Sequence, residues 1–464
     1  MAGFTPFRWE AEKRLPGADT RYLLRLADFV LDGSDGRAEA AMFSYSYLRL
    51  PRDASRPVLF AYNGGPGAAS GLLHMGLLGP RLVKFPGYPE LEWPAKTRLE
   101  DNAEWLLDCC DIVLADPPGA GWARLLDEDA AGEYYSVGGD ARAFARFIGA
   151  WLRENGREAS PVYLLGESYG TIRSVALADC LPEDVRLAGI ISVGTSLNVG
   201  SRGTLYVEPN VRRLGANAAC CWFHHHRGEL PLEDFVREAM DFAYGAYARA
   251  LLLGNRLPEA EREDALDKLA YFTGVDRGFL AENRLRFGEP DFLLRCCPGR
   301  VLSVYDSRLT YAPAEGESYA RNDMESADIF EPDTAKDGFM GCVCPAFDRA
   351  LAEYAEGLET PGREYLDDSL EIGRRWNYRG YEKDTLALPA ELMARMPRLR
   401  FMFVNGCYDL SSTFDFMDYY LSQYDLPAGR VERVTLPSGH ASYVGEGMAE
   451  ELNRRIRAFI TREG

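Results

Sequence analysis

A serine hydroxyl is a poor nucleophile until a base removes its proton, and the base in turn needs an acceptor that fixes its tautomer. The serine that draws attention is Ser168, framed as Gly166-Glu167-Ser168-Tyr169-Gly170. The chain has five histidines from which a base must come. His224, His225 and His226 are consecutive, and His74 sits inside a helix-like run after a glycine-rich loop. Only His440 lies in a loop, Pro437-Ser438-Gly439-His440, directly after a strand-like run. Asp409 closes another strand-like segment and is best placed to orient His440; Asp415 and Asp418 fall in the helix that follows and are weaker candidates. This is the equipment of acyl transfer through a covalent serine intermediate.

Such groups work only if the fold brings them together. Residues 161–165 read as a short buried strand and 171–179 as a helix, so Gly-x-Ser-x-Gly occupies a strand-to-helix turn. The flanking glycines let the backbone turn tightly and expose the hydroxyl at the strand's carboxyl end. A strand at 56–62 runs into Asn63-Gly64-Gly65-Pro66-Gly67, a loop suited to aiming N–H groups at an empty site, although glycine there also suits mere tightness. A strand at 112–116 precedes Pro117-Pro118-Gly119-Ala120-Gly121-Trp122, which lacks the spacing and lysine of a phosphate-binding loop. With a helix at 140–155 and a strand at 187–193, strands alternate with helices from 57 to 195. That pattern predicts a mostly parallel sheet covered by helices on both faces, preceded by two antiparallel edge strands at 21–26 and 41–48.

From 197 to 389 the alternation stops, and helical runs at 232–253, 259–270 and 344–357 predict a mainly helical cap over the sheet's carboxyl edge. The sheet resumes at 400–404 and 431–436, and an amphipathic helix at 446–460 closes the chain. The expected organisation is a first core segment over 1–196, the cap insertion over 197–389 and a second core segment over 390–464. The order Ser168, Asp409, His440 is that of an α/β-hydrolase fold.

At 464 residues, 47% hydrophobic and 27% charged, the composition is that of a globular protein. A formal net charge of −19 repels nucleic acid and anionic membrane surfaces. No apolar run has the length of a signal peptide or a bilayer span, and no Asn-x-Ser/Thr sequon occurs. The ten cysteines are expected as reduced thiols in a cytoplasmic protein, with Cys110, Cys180, Cys220 and Cys407 in apolar or helical surroundings. Cys220-Cys221-Trp222-Phe223-His224-His225-His226 looks superficially like a metal site. Three successive histidines on a helix point in three directions and no paired Cys/His framework accompanies them, so an ordinary, partly exposed helix is expected. Cys342-Val343-Cys344 lacks the spacing of a redox pair and is expected to be structural.

Taken together, Asn63-Gly64-Gly65-Pro66-Gly67, Asp116-Pro117-Pro118-Gly119-Ala120-Gly121, Gly166-Glu167-Ser168-Tyr169-Gly170, Asn405-Gly406-Cys407-Tyr408-Asp409 and Gly439-His440 resemble the serine carboxypeptidase family. The similarity runs in register from about residue 20 to the C-terminus and is weakest in the cap. Leu73-His74-Met75-Gly76, Thr171-Ile172-Arg173 and Tyr305-Asp306-Ser307-Arg308 fit its bacterial branch without a signal peptide. The resemblance implies a serine-type carboxypeptidase acting on a peptide through an acyl-enzyme. Ser168 would be the nucleophile, His440 the proton shuttle and Asp409 its orienter. Gly65 and Tyr169 would donate backbone N–H groups to the oxyanion, and Asn63 with Glu167 would hold the substrate's terminal carboxylate. Glu167 would then carry a proton when substrate is bound, so peptidase activity is expected to favour acidic pH more than esterase activity does.

The sequence departs from the family pattern at Ala61, Leu77 and Ala441, positions that the resemblance connects with substrate recognition. Two further readings compete. One is an esterase, amidase or acyltransferase on the same scaffold with a small acyl substrate; the other is a non-catalytic binding protein. No metal or organic cofactor is implied, and a homodimer is compatible with the resemblance.

Overall fold

The computed structural model describes residues 4–15, 20–91, 95–199, 209–311, 339–366 and 369–462. Parts of the expected cap insertion, 200–208 and 312–338, therefore lie outside the described residues, as does the side chain of Cys342.

A single large sheet runs in the order Arg8–Arg14, Arg21–Asp32, Ala38–Leu50, Asp111–Asp116, Val58–Tyr62, Val162–Glu167, Leu187–Val193, Arg400–Gly406, Val431–Leu436. The short strand Arg124–Leu125 adds to Ala38–Leu50. The first three ladders are antiparallel and all later ones parallel. Strands Val58–Tyr62, Asp111–Asp116, Val162–Glu167 and Arg400–Gly406 are buried at every position, as sheet strands covered on both faces must be. Alternate side chains of one strand feed two cores: Leu59 and Ala61 pack on one face, Phe60 and Tyr62 on the other. This is the α/β-hydrolase fold, a mostly parallel sheet flanked by helices.

The antiparallel edge differs from expectation, having three strands where two were read. Arg8–Arg14 is the additional one, its residues alternating between exposed and half-buried. Its charged side chains hide it from a search for apolar alternation, yet they are what an outermost strand needs to avoid pairing with other chains. Helix Val137–Asn155 is capped by Ser136 Oγ, which accepts from Gly139 N–H at 3.2 Å, and terminated by Gly156 in the left-handed region.

Between 209 and 395 the described elements are helices and π- or 3₁₀-turns, apart from the two-residue strands Val301–Leu302 and Thr310–Tyr311. Leu232–Phe242 and Ala248–Leu253 join through a π-turn, Ala243–Tyr247. Leu214, Phe235, Phe272 and Phe292 build a separate core that also takes in Tyr408 and Leu410 from the sheet's carboxyl edge. No described helix is long and apolar enough to cross a membrane.

Candidate active site

Because the central strands are parallel, their carboxyl ends lie along one edge. Asn63 follows Val58–Tyr62, Glu167 is the last residue of its strand, Asp409 follows Arg400–Gly406, and His440 follows Val431–Leu436. Ser168 sits between strand Val162–Glu167 and helix Tyr169–Cys180 with φ 56° and ψ −124°, a conformation that costs energy in a side chain-bearing residue. Packing holds it there. A Cβ on Gly166 would lie 2.0 Å from Gly170 O, and one on Gly64 would lie 2.5 Å from Tyr169 N. Each glycine is thus required by a neighbouring backbone, and the turn cannot relax without separating the strand from the helix.

His440 Nδ1 lies 2.8 Å from Asp409 Oδ2. Asp409 is fully buried, and its Oδ1 accepts the N–H groups of Ser411 at 2.8 Å and Ser412 at 3.0 Å. Ser412 Oγ donates to Asp409 Oδ2 at 2.6 Å and stands 3.1 Å from His440 Nδ1. An acceptor so firmly held makes Nδ1–H the donor and leaves Nε2 as the basic nitrogen. Tyr305 fixes the loop before it: His440 N–H donates to Tyr305 O at 2.6 Å, and the Tyr305 ring packs against the imidazole. Ser168 and His440 line one cavity of about 350 Å³. Among the hydrogen bonds between described residues none joins the two, a contact that tightens in such sites when substrate arrives.

The weaker acid candidates do other work. Asp415 Oδ2 accepts from Gly215 and Ala216 N–H, anchoring helix Leu214–Cys221, and Asp418 faces Arg433. His74 is fully buried, with Nε2 2.6 Å from Tyr47 Oη, and burial pushes its imidazole down to about 3. It is a core residue.

Asn63 and Glu167 form a buried pair facing the same cavity. Asn63 Nδ2 donates to Glu167 Oε2 at 3.0 Å, and Leu73 N–H fixes Asn63 Oδ1 at 3.0 Å. Tyr443 Oη donates to the same Oε2 at 2.8 Å. Burial pushes the Glu167 carboxyl up to about 7, against the opposing influence of His440 and of the hydrogen bonds from Tyr443 and Asn63. Since both donors converge on Oε2, Oε1 is the oxygen left to carry a proton.

Gly65 and Tyr169 both border Ser168 in a second, more open cavity of about 810 Å³. Gly65 has φ +95°, and Tyr169 is the first residue of its helix, where an N–H has no acceptor one turn back. Ser168 and Gly65 line both cavities, so the nucleophile stands between two chambers.

Sequence reasoning did not find Ser412 or Tyr443. The first lies in the Asx-like turn that begins at Asp409, a local pattern that could have pointed to it; nothing local points to Tyr443. Ala61, Leu77 and Ala441, connected above with substrate recognition, are fully or almost fully buried, and none borders either cavity. Cys180, expected in apolar or helical surroundings, is the last residue of its helix and is exposed.

No family model matches the sequence, and no curated protein does. Among solved structures, the chain is similar to a peroxisomal α/β-hydrolase from Saccharomyces cerevisiae, at 10% identity and TM-score 0.40 over 100% of this chain and 91% of that one. It is also similar to an epoxide hydrolase from Aspergillus niger (12%, TM-score 0.40, covering 94% and 78%) and a proline iminopeptidase from Mycobacterium smegmatis (13%, TM-score 0.37, covering 93% and 97%). Likeness at this level carries no argument about activity, and the fold assignment rests on the sheet order itself.

Proposed function

We propose that this chain is a serine hydrolase of the carboxypeptidase type, removing residues from the free C-terminus of peptides through an acyl-enzyme. The observation that carries this reading is the buried Asn63–Glu167 pair beside Ser168, because a carboxyl group that keeps its proton near neutrality can accept a second carboxylate as hydrogen-bond partner. The larger chamber takes the acyl portion, against Tyr169, Ile172 and Tyr381; the smaller one takes the leaving residue, against Leu72 and Leu370.

In this mechanism His440 Nε2 accepts the Ser168 proton as Oγ attacks the last peptide carbonyl. Asp409 stabilises the imidazolium through Nδ1–H, and the Gly65 and Tyr169 N–H groups receive the charge that develops on the carbonyl oxygen. His440 then protonates the departing amine, and water repeats the sequence in reverse to release the acyl group.

The protonated Glu167 predominates below about pH 7 and is lost as pH rises through that value. The kcat/KM for peptides with a free C-terminus should therefore fall above pH 7, approaching about tenfold per pH unit, while the same peptide as a C-terminal amide shows no such limb. In Glu167→Gln the amide oxygen takes the Asn63 and Tyr443 hydrogen bonds and the NH₂ replaces the Oε1 proton, so the alkaline fall should vanish. Mass-spectrometric rates across pH 5–9 on matched free, amidated and ester substrates test this. Equal rates on free and blocked peptides, or an alkaline fall that survives in Glu167→Gln, would favour an esterase, amidase or acyltransferase instead.

A further inference from the structure

The sequence around Cys220–His226 shows no paired Cys/His framework, but the fold brings cysteines from elsewhere in the chain to this segment. Trp222–His226 is a π-turn rather than a regular α-helix, and it brings His225 against Cys296 and Cys297 at the end of helix Glu289–Arg295. One ligand atom from each of these three residues lies within 4.8 Å of the other two, and Cys297 Sγ is 3.9 Å from His225 Nε2. A tetrahedral zinc site, with Zn–S about 2.3 Å and Zn–N about 2.05 Å, places its donor atoms roughly 3.6–3.8 Å apart. More soft donors stand behind. Cys220 and Cys221 touch Cys296, and the His224 imidazole lies beside the Cys220 and Cys297 thiols.

We propose that His225, Cys296 and Cys297 form a binding site for a zinc-like divalent cation, separate from the Ser168 centre and independent of the reaction assigned to it. Cys296 and Cys297, and Cys220 and Cys221 behind them, are all free thiols. Binding releases the thiol protons of Cys296 and Cys297 to solvent, so two thiolates neutralise the dication and no net charge enters a half-buried site. His225 Nε2 now stands 2.7 Å from Cys296 O; coordination through Nε2 moves its proton to Nδ1 and exchanges that hydrogen bond for a metal bond. His225 is exposed and Cys297 half-buried, which gives the ion an entry path and leaves the fourth position to water. Gly274 keeps the approach open: at φ +68°, a Cβ there would come 3.2 Å from His225 Nε2 and 3.0 Å from Cys296 O.

The site would tie the cap to the catalytic loops. Cys220 Sγ and His224 Nε2 both contact Ser307 O, at 3.8 Å and 2.7 Å, and Ser307 N–H donates to Tyr408 O at 2.9 Å, one residue before Asp409. A cation joining the π-turn to the 296–297 corner braces that path from outside.

Titration of the full-length, reduced, chelator-treated protein with Co²⁺ tests the assignment. One equivalent should produce thiolate-to-cobalt charge-transfer absorption in the near ultraviolet, abolished by one equivalent of Zn²⁺. Cys297→Ser should lower that absorption by about half, since one of two thiolates is removed. His225→Ala should weaken Co²⁺ binding while keeping the thiolate bands at saturation. Melting curves without metal establish that both variants are folded, and at equal Zn²⁺ concentration wild type should gain more in melting temperature than either variant. Absence of charge-transfer bands in wild type at saturating Co²⁺, or bands unchanged in Cys297→Ser, would overturn the proposal.

Discussion

Asp409→Asn is expected to lower kcat by about 10⁴-fold while leaving the fold intact. The loss follows from where an asparagine must place its two ends. Asp409 Oδ1 accepts two backbone N–H groups, from Ser411 and Ser412, so an amide NH₂ cannot sit there. The asparagine oxygen takes that side and its NH₂ turns to the Oδ2 position, facing His440 Nδ1 and Ser412 Oγ. A donor opposite Nδ1 forces the ring proton onto Nε2, and a protonated Nε2 cannot receive the proton of Ser168. Ser412→Ala removes only one of the contacts to Oδ2, leaves Nδ1–H donating to the carboxylate, and should cost far less. Steady-state turnover of an activated ester measures the difference. Nitrogen chemical shifts of the His440 ring should show the tautomer exchanged in Asp409→Asn and kept in Ser412→Ala.

Arg173→Met should destabilise the protein by roughly 3–5 kcal/mol, because it strands a buried carboxylate. Arg173 is fully buried on the helix that begins at Tyr169. Its Nε donates to Asp140 Oδ2 at 2.7 Å and its Nη1 to Asn63 O at 2.7 Å, while the rings of Phe144, Tyr62 and Tyr169 pack on the guanidinium. Asp140 is equally enclosed and also accepts from Tyr169 Oη. With unfolding entropy near 2 cal/mol/K per residue, that loss corresponds to a fall of about 3–5 °C in Tm for a chain of this length. Replacing both partners with apolar residues, Arg173→Met with Asp140→Leu, should recover much of the stability. It should not recover activity, because Asn63 O loses the donor that fixes the carboxylate-facing side chain. Calorimetry and peptide turnover on the single and double variants separate these two effects.

What the sequence disclosed follows from how local each requirement is. The elbow around Ser168 and the glycine loop at 63–67 are legible because backbone closeness imposes glycine within a few residues, and a hydrophobic strand beside them sets the direction. Asp409 and His440 are legible because each closes a parallel strand at the same edge. Arg8–Arg14 escapes notice because an outer strand is selected for charge, not for apolar alternation. Tyr443 reaches Glu167 across 276 positions, and His225 meets Cys297 across 72; no periodicity records contacts of that range. The Cys296-Cys297 pair is visible in the sequence, but only the fold shows that it faces the histidine run. Ala61, Leu77 and Ala441 show the converse. A family pattern connects them with substrate, whereas in this chain they pack in the hydrophobic core and border neither cavity beside Ser168.

In the proposed reaction Ser168, activated by His440 and Asp409, forms the covalent bond. Reaction with a fluorophosphonate, followed by peptide mapping of the adduct, tests it most directly. Stoichiometric, time-dependent modification is expected at Ser168 Oγ in wild type, none in Ser168→Ala, and greatly slowed labelling in His440→Ala. Wild-type protein that stays unlabelled, or carries its adduct on another residue with Ser168→Ala labelled equally, would contradict it.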